Sequence, residues 1–119
     1  MRAESKETLR KFALNDERFV ESVSGRGHAN ISASGLDQKT HALVRLGALL
    51  AIEATVSSYQ PNIAMALAAG ASVDEIIGTL VAVAPDVGTA RAVAAAPELA
   101  LALGYDVSAA FESPDEDVE

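Results

Sequence analysis

A chain of 119 residues with a formal charge of −8 and no cysteine has the length of one modest domain and cannot run thiol or disulfide chemistry. Its charge offers no positive stripe for a phosphate backbone, and an anionic membrane surface would repel it, so neither nucleic acid nor membrane is expected as a partner. Half the residues are apolar, yet aromatics make up only 4%. The apolar content is mostly Ala, Val and Leu, which favours helix over strand, and the alternating β-branched and aromatic runs of strands are missing.

Along the chain, residues 4–23 read as helix, divided in two by a break and restart at Asn15-Asp16. Leu9, Phe12, Phe19, Val20 and Val23 supply the helical spacing. Ser24-Gly25-Arg26-Gly27-His28 reads as a loop by its glycines, and the small, polar stretch 29–35 is expected to be an irregular connection. The charged start leads into no apolar core of signal-peptide length. Together with the lack of cysteine, this points to the cytoplasm.

Asp37 can cap the next helix, expected to run to about Ala54. At 100° per residue, Leu43, Leu46, Gly47, Leu50 and Ala54 share one stripe, with His41, Arg45, Ala48 and Ile52 roughly opposite. Arg45 and Glu53 keep this apolar segment short of a membrane span, which takes about 18 residues or more.

Pro61 is expected in the first turn of the following helix, where its missing N–H does no harm, and Gly70 stops that helix. Ser72-Val73-Asp74-Glu75 is a capping box. The helix it opens should end at Pro85. Asp86 should start the last helix, with Pro97 kinking or dividing it and Gly104 closing it. The alanine- and leucine-rich run 94–103 reads as core or subunit interface. The acidic tail, 108–119, reads as a solvated, disordered extension.

The segment 36–104 resembles the carboxymuconolactone decarboxylase and alkylhydroperoxidase D-like superfamily. The resemblance rests on Leu36-Asp37-Gln38-Lys39-Thr40-His41-Ala42-Leu43, on Ala66-Leu67-Ala68-Ala69-Gly70-Ala71-Ser72-Val73-Asp74-Glu75-Ile76, and on Gly88 with its alanine-rich helix. It implies an all-α helical bundle, assembled as a homo-oligomer, a trimer or hexamer. A helical arm and loop over 1–35, the family-like core over 36–107 and the acidic tail over 108–119 would make up the chain.

In the peroxidase branch of that family, two cysteines three apart precede a histidine, which stands eight before the glycine. Thr55, Ser58 and Asn62 occupy those positions here. Neither hydroxyl replaces a thiolate, so the resemblance implies a scaffold without thiol peroxidase activity. The decarboxylase branch carries histidines at the Asn62 and Ala82 positions and a tyrosine at the Asp86 position. Asn62 does not titrate and Ala82 carries no functional group, so proton transfer by the family's histidines is not expected, and a different acid would have to take it over.

A pocket kept at the family's site would be lined by Glu53, Thr55, Ser58, Tyr59 and Asn62. Glu53 lies on the flank of the Leu46 and Leu50 stripe. If partly buried, it would be an acid or base with a raised pKa; the alternative is solvent or an arginine partner. Tyr59 and Asn62, one helical turn apart, could hydrogen-bond a small polar ligand, or cap a helix or meet a subunit. His41 and Arg45, four apart, could hold an anion together, or form a surface stripe. His28 and His41 lie far apart without clustered acids, so neither a metal nor a cofactor is expected. Two readings follow: a catalytically silent oligomeric scaffold or binding protein, and a lyase or isomerase of lactones or carboxylic acids using Glu53 with Tyr59 and Asn62.

Overall fold

In the computed structural model, residues 1–25 and 27–107 are described, and those residues form seven helices and no strand. The chain divides into two compact units, Met1–Asp37 and a second beginning at Gln38. The expected acidic tail lies outside the described residues, as does Arg26 of the glycine loop.

The first unit holds α1 (Ala3–Ala13), α2 (Glu17–Ser24) and α3 (His28–Ser34). The break at Asn15-Asp16 is present. Asn15 takes a left-handed φ of 51°, and the Asp16 carboxylate accepts from the Phe19 amide at 3.2 Å to cap α2. Phe12 and Phe19 meet edge to face with centroids 5.1 Å apart. The expected irregular connection over 29–35 is instead helix α3, started at Gly27 and stopped by Gly35 at φ 68°. Its seven residues are too few and too small to show a periodic apolar face. No residue of these three helices is buried.

The second unit holds α4 (Gln38–Ala51), α5 (Val56–Ala68), α6 (Val73–Val87) and α7 (Thr89–Ala102). Each packs mainly on two neighbours, in the cyclic order α4, α5, α7, α6, which makes a four-helix bundle. Leu46, Leu50, Tyr59 and Ile76 are fully buried at its centre. The predicted α4 stripe faces this core: Leu46, Gly47 and Leu50 are buried, and Leu43 and Ala54 partly so. Gly47 has a packing role. A Cβ there would sit 3.3 Å from Val83 Cγ1 and 3.7 Å from Thr79 Cγ2, so the glycine lets α6 approach α4.

Helix α4 stops at Ala51, three residues before the expected end. Ala54 returns its amide to the Leu49 carbonyl at 3.1 Å, and Glu53 takes the left-handed position at φ 57° that a glycine usually fills. Sequence rules look for glycine or asparagine there, so a glutamate gave no stop signal.

The first-turn placing of Pro61, the stop at Pro85 and the division at Pro97 are corrected. Pro61 is the sixth residue of α5 rather than in its first turn. Pro85 lies inside α6, which continues through Asp86 to Val87, and Pro97 leaves α7 a single helix. Each proline withholds its N–H from the carbonyl four residues back, on Ser57, Val81 and Val93. All three of those residues are exposed, as are the prolines, so water replaces the lost partner. The stop of α6 comes from Gly88, at φ 94° and ψ 147°, and α7 ends at Gly104 as expected, φ 88°.

The capping box is formed in full. Ser72 Oγ accepts from the Glu75 amide at 3.0 Å, and Glu75 Oε1 accepts from the Ser72 amide at 2.9 Å. Lys39 Nζ adds an ion pair to Glu75 at 2.9 Å, tying α4 to α6. The Ser72 amide, followed by Lys39, holds the Glu75 carboxyl below the usual carboxylate range. A lowered folded-state pKa stabilises the fold above the unfolded value of about 4.3 and is lost as pH falls through the folded value. Glu75→Gln should therefore flatten the acid side of the stability profile while leaving its neutral side parallel, measured as urea midpoints between pH 7 and pH 3.

Gly88 separates backbone strain from packing, because a Cβ there meets nothing within 4 Å. Gly88→Ala should lose roughly 1–3 kcal/mol from its φ/ψ alone. Gly78→Ala, inside α6 with equally open space, should gain about 0.5–1 kcal/mol from helix propensity. Urea denaturation of both variants checks the opposite signs.

Candidate functional site

Two depressions in the bundle gather most of the polar residues singled out above. The first lies between α4 and α5 and encloses about 240 Å³. Helix α4 contributes Gln38, His41 and Arg45, and α5 contributes Asn62 and Met65, with Ala69 just after its last residue. Both sets fall at i, i+3 and i+7, so each set is one face and the two faces oppose.

His41 is only 6% exposed, which corrects the alternative that it forms a surface stripe with Arg45. The α5 side chains cover the part of that stripe nearest the start of α4, while Ile52 at its other end stays 69% exposed. Arg45 is half-buried. It makes no ion pair or hydrogen bond with another described residue. Asn62 donates from Nδ2 to the Ser58 carbonyl, one turn back in its own helix, at 2.7 Å.

The second depression, about 250 Å³, is bounded by Glu53, Ala54 and Thr55 of the α4–α5 connection, Tyr59 of α5, and Ala94, Ala95 and Glu98 of α7. Glu53 is not partly buried as its place on the stripe suggested. The early end of α4 swings it out, and its side chain is 60% exposed, with Oε1 3.6 Å from Arg91 Nε. Arg91 also donates from Nη1 to the Ala51 carbonyl at 2.7 Å, so it satisfies one of the open carbonyls at the end of α4. Thr55 Oγ1 shares a hydrogen bond with Ser57 Oγ at 2.8 Å.

Tyr59 is the anomaly of this depression. Its ring is 0% exposed, and its hydroxyl has no hydrogen-bond partner. Burial pushes its pKa up, and the charges of Glu98 and Glu53 raise it further. At neutral pH it is a protonated phenol, able both to donate and to accept.

The expected five-residue pocket is thus divided. Glu53, Thr55 and Tyr59 border one depression, Asn62 borders the other with His41 and Arg45, and Ser58 borders neither. Sequence reasoning did not pick Gln38 or Glu98. Glu98 had a signal, since it is the one charged residue of the run 94–103. Among the described residues no group of three or more His, Cys, Asp or Glu side chains converges to hold a metal ion, and no helix is long and apolar enough to cross a membrane.

Comparison with protein families matches residues 17–101 to the model of the carboxymuconolactone decarboxylase family. Comparisons with curated proteins and with solved structures give no match. The family match takes in more than half of the chain, from α2 to the last turn of α7, and it agrees with the all-helical fold. This chain belongs to the carboxymuconolactone decarboxylase family.

Proposed function

We propose that this family member is a self-associating binding protein for a small organic anion, without a catalytic step of its own. The observation that carries the binding reading is Arg45: a half-buried arginine at a concave site, beside the buried His41, with no carboxylate partner among the described residues. Burying part of a cation without a counter-charge is unfavourable, and a ligand carboxylate would remove that penalty through a bidentate pair. Gln38 and Asn62 add polar edges, and Met65, Ala68 and Ala69 offer apolar cover for a short chain or ring. A cytoplasmic location goes with this reading, as expected from the cysteine-free sequence.

Catalytic silence rests on the replaced positions. Thr55 and Ser58 provide no thiolate, and Asn62, already bonded to the Ser58 carbonyl, does not titrate. The alternative of a lyase or isomerase using Glu53 with Tyr59 and Asn62 draws less support. Asn62 borders a different depression from Glu53 and Tyr59, and Glu53 is solvent-exposed.

Titration with propionate and benzoate, followed by amide chemical shifts, should move resonances around Arg45 and Asn62 saturably. Arg45→Gln should weaken binding about tenfold or more, the size of a lost charge-assisted pair, and Arg45→Lys should restore part of it. Unchanged affinity in Arg45→Gln would sink this reading. A peroxide-reduction assay with a dithiol donor should stay at background.

Self-association is supported by apolar surface that the single chain leaves in water. Val44, Ile52, Val81 and Val93 are each more than half exposed, and an open groove between α4 and α6 is lined by Leu43, Val44, Ala48 and Val83. Light scattering after size exclusion should give three or six times the 12.3 kDa chain mass. A monomer at tens of micromolar chain would overturn the oligomer.

A further inference from the structure

Past the end of α7 the chain runs into an apolar groove between α6 and α7. The groove encloses about 430 Å³, and no charged residue among the described ones borders it. Helix α6 lends Val73, Ile77 and Leu80, a single face at i, i+4 and i+7, and α7 lends Leu99. Tyr105 and Val107, beyond α7, complete the wall. Gly104 at φ 88° and the Tyr105 amide, which donates to the Ala100 carbonyl at 2.8 Å, turn the chain onto it. Val73, Ile77 and Tyr105 nevertheless stay 44–50% exposed. An apolar wall left half in water marks a surface that something covers.

We propose that the occupant is the chain's own continuation, residues 108–112, with the Phe111 ring seated against Val73 and Ile77. Val107, Ala110 and Phe111 stand at i, i+3 and i+4, one helical face that begins with a residue already in the groove. Asp106 is a preferred N-cap type immediately before that turn, and Pro114 cannot continue it. Glu112 falls about 140° from Val107 around such a helix, away from the apolar face.

Reach and charge favour this occupant over a separate partner. Phe111 is four residues from Val107, so its backbone lies within about 14 Å of that residue even in a fully extended chain. The ring therefore reaches the groove without help from another copy. A tether that short holds it there at roughly millimolar effective concentration, and any other apolar ligand must displace it. Phe111 is the only aromatic beyond Tyr105. The acids that follow it find no cation in the groove wall, so the apolar face docks and the carboxylates keep their water. This groove shares no lining residue with the Arg45 depression or with the groove between α4 and α6, and the proposal is independent of the readings given to those.

The full-length protein tests this without a variant. With isoleucine and valine methyls and phenylalanine rings isotopically labelled, nuclear Overhauser contacts should join the Phe111 ring to the methyls of Ile77 and Val73. A mixture of methyl-labelled and ring-labelled chains should lose those contacts, since each ring stays on its own chain. Phe111→Ala should shift the Ile77 and Val73 methyls while leaving those of Leu46 and Leu50 in place, and Glu112→Gln should move none of the four. Nile red, an uncharged apolar dye, should bind Phe111→Ala about fivefold more tightly or better, because the parent must first open the groove.

Contacts that persist at full strength in the mixed sample would give the groove to a second copy and overturn the proposal. It falls as well if the Phe111 ring meets neither methyl and Phe111→Ala leaves both unmoved, or if Nile red binds parent and variant alike. None of these outcomes touches anion binding at Arg45, which is read with a charged probe at different residues.

Discussion

Helix α4 organises the second unit through two leucines and a glycine. Leu46 and Leu50, both wholly removed from water, lie one turn apart and fill the centre of the bundle. Gly47 beside them lets Val83 of α6 come close. Burying each leucine stabilises the fold by roughly 1.5–3 kcal/mol, and a Cβ at Gly47 would press on the Val83 side chain at 3.3 Å. With that face committed to the core, the rotation of α4 is determined, and so is the direction of every other residue on it.

Both candidate sites follow from this rotation. His41 and Arg45 are turned toward α5, where Asn62 and Met65 meet them, instead of toward solvent. At the other end, α4 must stop at Ala51 so that Ala54 can fold back onto the Leu49 carbonyl. That reversal places Glu53 in a left-handed conformation and sends its carboxylate toward Arg91 of α7. Tyr59, one turn into α5, is then enclosed between α4 and α7 with its hydroxyl unpaired. The same polar residues that resemble one family site in linear order are divided between two sides of α5.

The helix ends show which local signals are legible. Where a side chain closes its own hydrogen-bond ring, as at Asp16 and in the Ser72–Glu75 box, sequence and structure agree, because partner and spacing are both written in a few adjacent residues. Where proline was expected to stop or divide a helix, or to sit only in its first turn, they disagree. A proline removes one hydrogen bond, and whether that breaks a helix depends on what faces the orphaned carbonyl. At Ser57, Val81 and Val93 it is solvent, a property of the packed bundle that no local pattern contains.

Taken alone, the sequence determined the helical class, the corner at Gly70 and Ser72, and the absence of thiol chemistry. Each is a matter of residue type, short-range spacing or composition, and none requires knowing what packs against what. The tertiary structure alone decided that His41 is buried, that Glu53 is not, and that Glu98 joins Tyr59 across α5 and α7. Those outcomes turn on helix rotation and on where a helix stops, set by long-range burial of Leu46, Leu50 and Tyr59. A shift of one residue in either would carry a side chain about 100° around its helix, from one depression to the other or into water.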